Sequence, residues 1–190
     1  MRRFSFTLVF TFLSIVLFAQ DDVKSDLNSL FLGLNVESKP EKMIIGLPLK
    51  FEKFLRKQEQ TGEPITIYIA DFQKDDRISS KLLNGEVRIE QKNYEVELGR
   101  HSVFLRLAFQ NYDDLIEEYT RLYTKFEGYA SNIMTESPEN ENDYGRQISN
   151  ILTIKDDFSV KKLSFVYLIP NPEEKNKTQY LFVDYSYRRY

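Results

Sequence analysis

Ser29-Leu30-Phe31-Leu32-Gly33-Leu34-Asn35-Val36 is the stretch on which the reading of this chain turns. Leu30, Leu32, Leu34 and Val36 alternate with Phe31 and Gly33, and a period of two predicts a strand. The stretch recurs as Ser102-Val103-Phe104-Leu105-Arg106-Leu107, with four of six positions identical at an offset of 73. A second recurrence pairs Lys74-Asp75-Asp76 with Lys155-Asp156-Asp157, at an offset of 81. Short apolar strands resemble one another easily, so most of the weight falls on the order of elements around the matches.

That order is read outward from the opening stretch. Ser38-Lys39-Pro40-Glu41 has capping-box spacing and predicts a short helix over about 39–47. Residues 65–72 predict a strand, with Ile65, Ile67 and Ile69 on one face. Val87 and Ile89 lead to a turn near Lys92-Asn93, and Tyr94, Val96 and Leu98 return, which predicts a hairpin. Val103 to Phe109 is the next strand. Leu115, Ile116, Tyr119, Leu122, Tyr123 and Phe126 then form one apolar helical stripe that ends near Gly128. Residues 131–145 are polar and acidic and predict a loop. Strands are expected at 151–154, 162–169 and 179–187.

The expectation is an α+β fold: a tandem duplication of a β-α-β-β-β unit, with mainly antiparallel sheets, each carrying a helix on one face. Residues 21–100 form one half and 101–190 the other, or 21–190 make a single domain. A sheet face left uncovered by its helix would suit binding.

Residues 1–20 read as a secretory signal. Arg2 and Arg3 precede a largely apolar run from Phe4 to Ala19, followed at once by Asp21 and Asp22. The run is about 16 residues, short of the roughly 20 that a spanning helix needs. A periplasmic or secreted location is expected, with no stable membrane span after signal removal. Without Arg2 and Arg3 the chain carries 24 basic and 29 acidic residues, which gives no nucleic-acid footprint.

Composition closes off several chemistries. The chain has no cysteine and one histidine, His101. Disulfides, thiol nucleophiles, Cys-ligated metals and multi-histidine metal sites are excluded, and so is acylation on cysteine. His101, between Arg100 and Ser102, is expected to be an exposed turn residue. No phosphate loop or dinucleotide fingerprint is present, so no cofactor is expected. Glu136, Glu139, Glu141 and Asp143 offer hard oxygen ligands for calcium. Ile151 stands where the EF-hand pattern needs a Glu, so a solvated loop is the simpler reading and no metal ligand is assigned. Asp75-Asp76 and Asp156-Asp157 could serve acid–base chemistry only if held about 5–9 Å apart, and turn chemistry explains them equally well. No catalytic residue is assigned. Asn176-Lys177-Thr178 matches the glycosylation sequon by pattern.

The last strand pair is rich in aromatics, and Tyr is flat, rigid and amphipathic. Tyr167, Tyr185, Tyr187 and Tyr190 are the candidate binding residues. The expected function is an exported, non-enzymatic binding or assembly module of the cell envelope, with a protein or glycan partner. The alternatives are a carboxylate-dependent hydrolase of cell-surface glycans and a calcium-stabilised surface module.

Overall fold

The structure is a computed structural model, and it describes residues 22–59, 62–76, 78–92, 101–137, 145–156 and 158–189. The secretory signal, the 94–98 return of the predicted hairpin, Glu139, Glu141, Asp143, Asp157 and Tyr190 therefore lie outside the described residues.

The opening stretch is not a strand. Residues 22–30 are helical (α1), and the chain then turns through 31–33. Val23, Leu27, Leu30, Phe31 and Leu34 are all buried, and their spacing is helical. The alternation after Ser29 is the tail of that stripe. The helix closes when the Gly33 amide donates to the Asn28 carbonyl at 2.7 Å. Leu32 (φ 62°) and Gly33 (φ 87°) both take left-handed backbone there. Gly33 does so without a Cβ clash, whereas buried Leu32 is held there by its packing.

A four-residue helix follows at Pro40–Met43 (α2), with Lys39 rather than Ser38 at its N-cap. The strands are β1 Glu52–Lys57, β2 Pro64–Gln73, β3 Leu82–Lys92 and β4 His101–Phe109. The helix α3, Tyr112–Glu127, carries the predicted apolar stripe, and the Asn111 side chain accepts from the Asp114 amide at its start. Then come β5 Asn132–Glu136, β6 Gly145–Lys155, β7 Ser159–Pro170 and β8 Gln179–Arg189. β5 lies inside the predicted 131–145 loop. It is exposed throughout and is defined by its pairing with β6, not by an apolar pattern.

Among the described residues, eight strands form one antiparallel sheet in the order β1-β2-β3-β4-β8-β7-β6-β5. The fold is α+β, mostly antiparallel sheet. The predicted β-α-β-β-β unit is not formed, because Ser29–Leu34 is helix and turn while Ser102–Leu107 lies in β4. Helix precedes a four-strand meander twice, and the two meanders meet where β4 pairs β8. The sheet also continues across residue 100, where β3 pairs β4. Of the Lys-Asp-Asp recurrence, Lys74-Asp75-Asp76 follows β2, whereas Lys155 ends β6 and Asp156 follows it.

α1 and α3 cover the same face of this one sheet. Phe31, just after α1, meets Tyr185 of β8 with ring centroids 5.8 Å apart. From α3, Tyr119 and Tyr123 meet Phe165 of β7. Lys125 and Tyr129 both reach Asp26, at 2.7 and 2.8 Å, which ties the two helices together. Cross-strand register places Val87, Leu105, Val183 and Phe165 in one buried row beneath them. Gly85 lets Phe72 lie flat across the sheet, because a Cβ there would meet the Phe72 ring at 2.3 Å. Among the described residues, no helix is long and apolar enough to cross a membrane.

Candidate functional site

Side chains two apart on a strand share a face. Tyr185 and Tyr187 therefore project together, and the register puts them on the helix-covered face. Tyr185 pairs Val103, and Tyr187 pairs His101. Tyr185 is 0% exposed and belongs to the core. Tyr167 is half-buried on the same side, its ring 4.7 Å from that of Tyr119 in α3. Tyr167, Tyr185 and Tyr187, the three of these tyrosines among the described residues, thus do not form an open patch. Of these three, Tyr187 lines a cleft.

That cleft lies where the covered face runs out. His101, Tyr187, Lys161 and Ile154 form its last row. The connection from α1 to α2 passes over this row. His101, expected in an exposed turn, is buried, and its Nε2 contacts the carbonyl oxygen of Val36. The Lys161 side chain is only 9% exposed, and its ammonium lies 2.7 Å from Glu37 and 3.2 Å from Asp156. Burial would lower its pKa, but the two carboxylates outweigh that and leave it raised. Asp156 accepts from the Phe158 amide at 2.9 Å and the Ser159 hydroxyl at 2.6 Å. Burial pushes the Asp156 carboxyl up, but these two hydrogen bonds and Lys161 prevail, and its pKa is lowered.

The cleft encloses about 340 Å³ between Lys24, Asn35, Glu37 and Ser38 on one wall and Asp156, Phe158, Ser159 and Tyr187 on the other. Lys24 approaches Glu37 at 3.9 Å. Among the described residues, the Tyr185 hydroxyl is buried without a hydrogen-bond partner. Burial first, and then the charge of Glu37, raise its pKa strongly. Glu37 and Lys161 carried no sequence signal, because they come together only through the roofing loop.

The opposite face of the sheet is not covered by the helices. Tyr180 and Phe182 of β8 are 43% and 41% exposed, with centroids 6.4 Å apart. The Arg106 guanidinium lies 5.8 Å from the Tyr180 ring centre, and that of Arg88 lies 4.7 Å from Phe104. Glu86 pairs with Arg106 at 3.3 Å and Glu90 with Arg88 at 3.2 Å. Asp184 sits opposite Phe104; burial raises its pKa, and Glu90 adds to this against Arg88. A groove of about 240 Å³ opens beside Tyr180 and Phe182, bounded by Leu168 and Pro170. The alternation Tyr180, Phe182, Asp184, Ser186 in β8 marks this face, since polar residues share it with the two rings.

Among the described residues of the two acidic pairs, Asp75 and Asp76 lie at one end of the sheet and Asp156 at the other. The β2–β3 connection carrying Asp75 and Asp76 adjoins the Phe109 end of β4, whereas Asp156 adjoins the His101 end. They cannot share a substrate. No family model, curated protein or solved structure gives a significant match to the chain.

Proposed function

We propose that this protein is an exported, non-enzymatic binding module of the cell envelope that docks a partner protein on the uncovered sheet face. The observation that carries the reading is the exposed Tyr180–Phe182 pair on β8, a central strand. Aromatic side chains and arginine are the types enriched at the centres of protein interfaces, and here both stand on a rigid scaffold. The neighbouring carboxylates Glu86 and Glu90 pair with those arginines, and Asp184 lies in the field of Arg88. The surface is therefore mixed in charge, which favours a protein over a nucleic acid or an anionic lipid surface. The apolar run behind Arg2 and Arg3 supports export. Descent of the two meanders from one duplicated unit fits the placement of Asp75 and Asp156 just after the second strand of each meander.

A glycan hydrolase has less support. Its general acid must hold a proton near neutral pH. Asp156, the paired acid that lines a cleft, is instead kept ionised by Ser159, the Phe158 amide and Lys161.

The reading is tested by placing a photo-reactive phenylalanine at position 182, or at the control position 55, in the native cell. Position 182 is expected to give one discrete adduct that Arg106→Glu diminishes severalfold, and position 55 none. Equal adducts from both positions, or none from 182, would overturn it. An adduct of twice the chain's mass would replace the partner protein with a second copy. N-terminal sequencing tests export, and a mature chain that still begins at Met1 would refute it.

A further inference from the structure

We propose that the polar cleft beside Lys161 binds a neutral sugar unit. The inference is independent of the uncovered face, because the cleft lies on the other side of the sheet.

Charge comes first. Glu37 and Asp156 face Lys161 and Lys24, so two negative and two positive groups close on each other. An anion entering the cleft meets two carboxylates. A cation finds both carboxylates already paired. A neutral ligand disturbs neither pairing. It can still donate hydroxyl hydrogens to the carboxylates, since each carboxylate offers about four lone-pair sites.

Shape and lining come second. The cleft of about 340 Å³ falls at the small end of ligand sites. Its polar groups include the amide of Asn35 and the hydroxyls of Ser38 and Ser159. The Asn35 amide and the Ser38 hydroxyl can donate and accept hydrogen bonds, as sugar hydroxyls require, and the Ser159 hydroxyl, which donates to Asp156, can still accept. Ser159 and Lys161 are themselves almost fully buried, so the polar floor is rigid and not a mobile surface.

The third observation is Phe158. It stands in the β6–β7 hairpin at 72% exposure and lines the cleft. An isolated Phe in a hairpin turn stabilises little there. Beside a polar cleft, its flat ring, together with the half-buried Tyr187, offers a surface for the C–H face of a sugar ring. Polar groups below and aromatic carbon at the rim match a molecule that is hydroxylated at its edge and apolar on its face.

The experiment is a two-dimensional amide NMR titration of the isotope-labelled protein with three neutral trisaccharides, chitotriose, maltotriose and xylotriose. Inorganic phosphate and citrate serve as charged controls. At least one trisaccharide is expected to shift Phe158, Ser159 and residues 35–38 saturably. Phe158→Ala, at an exposed position that leaves the core intact, is expected to weaken that binding roughly tenfold. Leu55→Ser, on the far edge strand, should leave it unchanged. Three outcomes would overturn the proposal: no saturable shift with any trisaccharide, equal shifts with phosphate or citrate, or saccharide shifts centred on Tyr180 and Phe182.

Discussion

The two faces of this sheet use aromatic side chains in opposite ways. On the covered face, Phe165 and Tyr185 are sealed beneath α3 and Phe31, and every neighbour of Phe165 that the ring contacts identify belongs to α3. On the uncovered face, Tyr180 and Phe182 keep about four-tenths of their surface in water, and the Tyr180 ring lies against Arg106. The same strand, β8, contributes to both sets, with Tyr185 on one face and Tyr180 and Phe182 on the other. Residue parity decides which aromatic is core and which is available, because successive side chains point to opposite sides. Aromatic content alone says nothing about binding.

The largest effect should separate these faces directly. Phe165→Ala removes a ring that is fully buried and is expected to cost about 3–5 kcal/mol in chemical denaturation. Phe182→Ala, two strand positions from Tyr180, should cost below about 1 kcal/mol. Equal losses would break the distinction between the faces.

An intermediate effect is expected at Gly85. Its Cβ would meet the Phe72 ring at 2.3 Å and the Arg106 carbonyl at 2.9 Å. Gly85→Ala should therefore destabilise by roughly 1–3 kcal/mol. Combining it with Phe72→Leu should recover part of that loss, and a double-mutant cycle measures the coupling. Strict additivity would show that the ring does not depend on the glycine.

The smallest effect belongs to the margin of the covered face, where Asp156 meets Lys161. The folded-state pKa of Asp156 is lowered, so its contribution is complete above the ordinary carboxylate range and disappears as pH falls through the lowered value. Asp156→Asn should cost about 1–2 kcal/mol at neutral pH, and the wild-type and variant stability curves should converge in acid. A gap that persists unchanged at low pH would mean that packing, not charge, sets the value of this residue.

Much of the fold could be read locally. The α3 stripe from Leu115 to Phe126, the strand around Ile65 to Phe72 and the last strand pair all match, because each carries a periodicity that packing then reinforces. The opening stretch misled because its window was too short. Seen from Ser29 it alternates, but seen from Val23 it is a helix, and a mid-stripe start cannot tell period two from period 3.6. β5 left no pattern to read, since an edge strand exposed on every residue needs only hydrogen bonds to its neighbour.

The candidate sites were less legible. Tyr187 was anticipated as a binding residue and lines the cleft, but Glu37 lies far from Lys161 and Asp156 in sequence and reaches them only when the α1–α2 connection folds over β7. By itself the sequence determined the absence of cysteine chemistry, the α+β composition and the positions of most strands. These depend on residue type and on local period. Tertiary structure alone decided that α1 and α3 share one face, that Tyr185 is core while Phe182 is open, and that Asp156 stands at the opposite end of the sheet from Asp75 and Asp76. Each of these depends on which strands become neighbours, and the pairing of His101 with Tyr187 or Phe109 with Gln179, far apart in the chain, leaves no local trace.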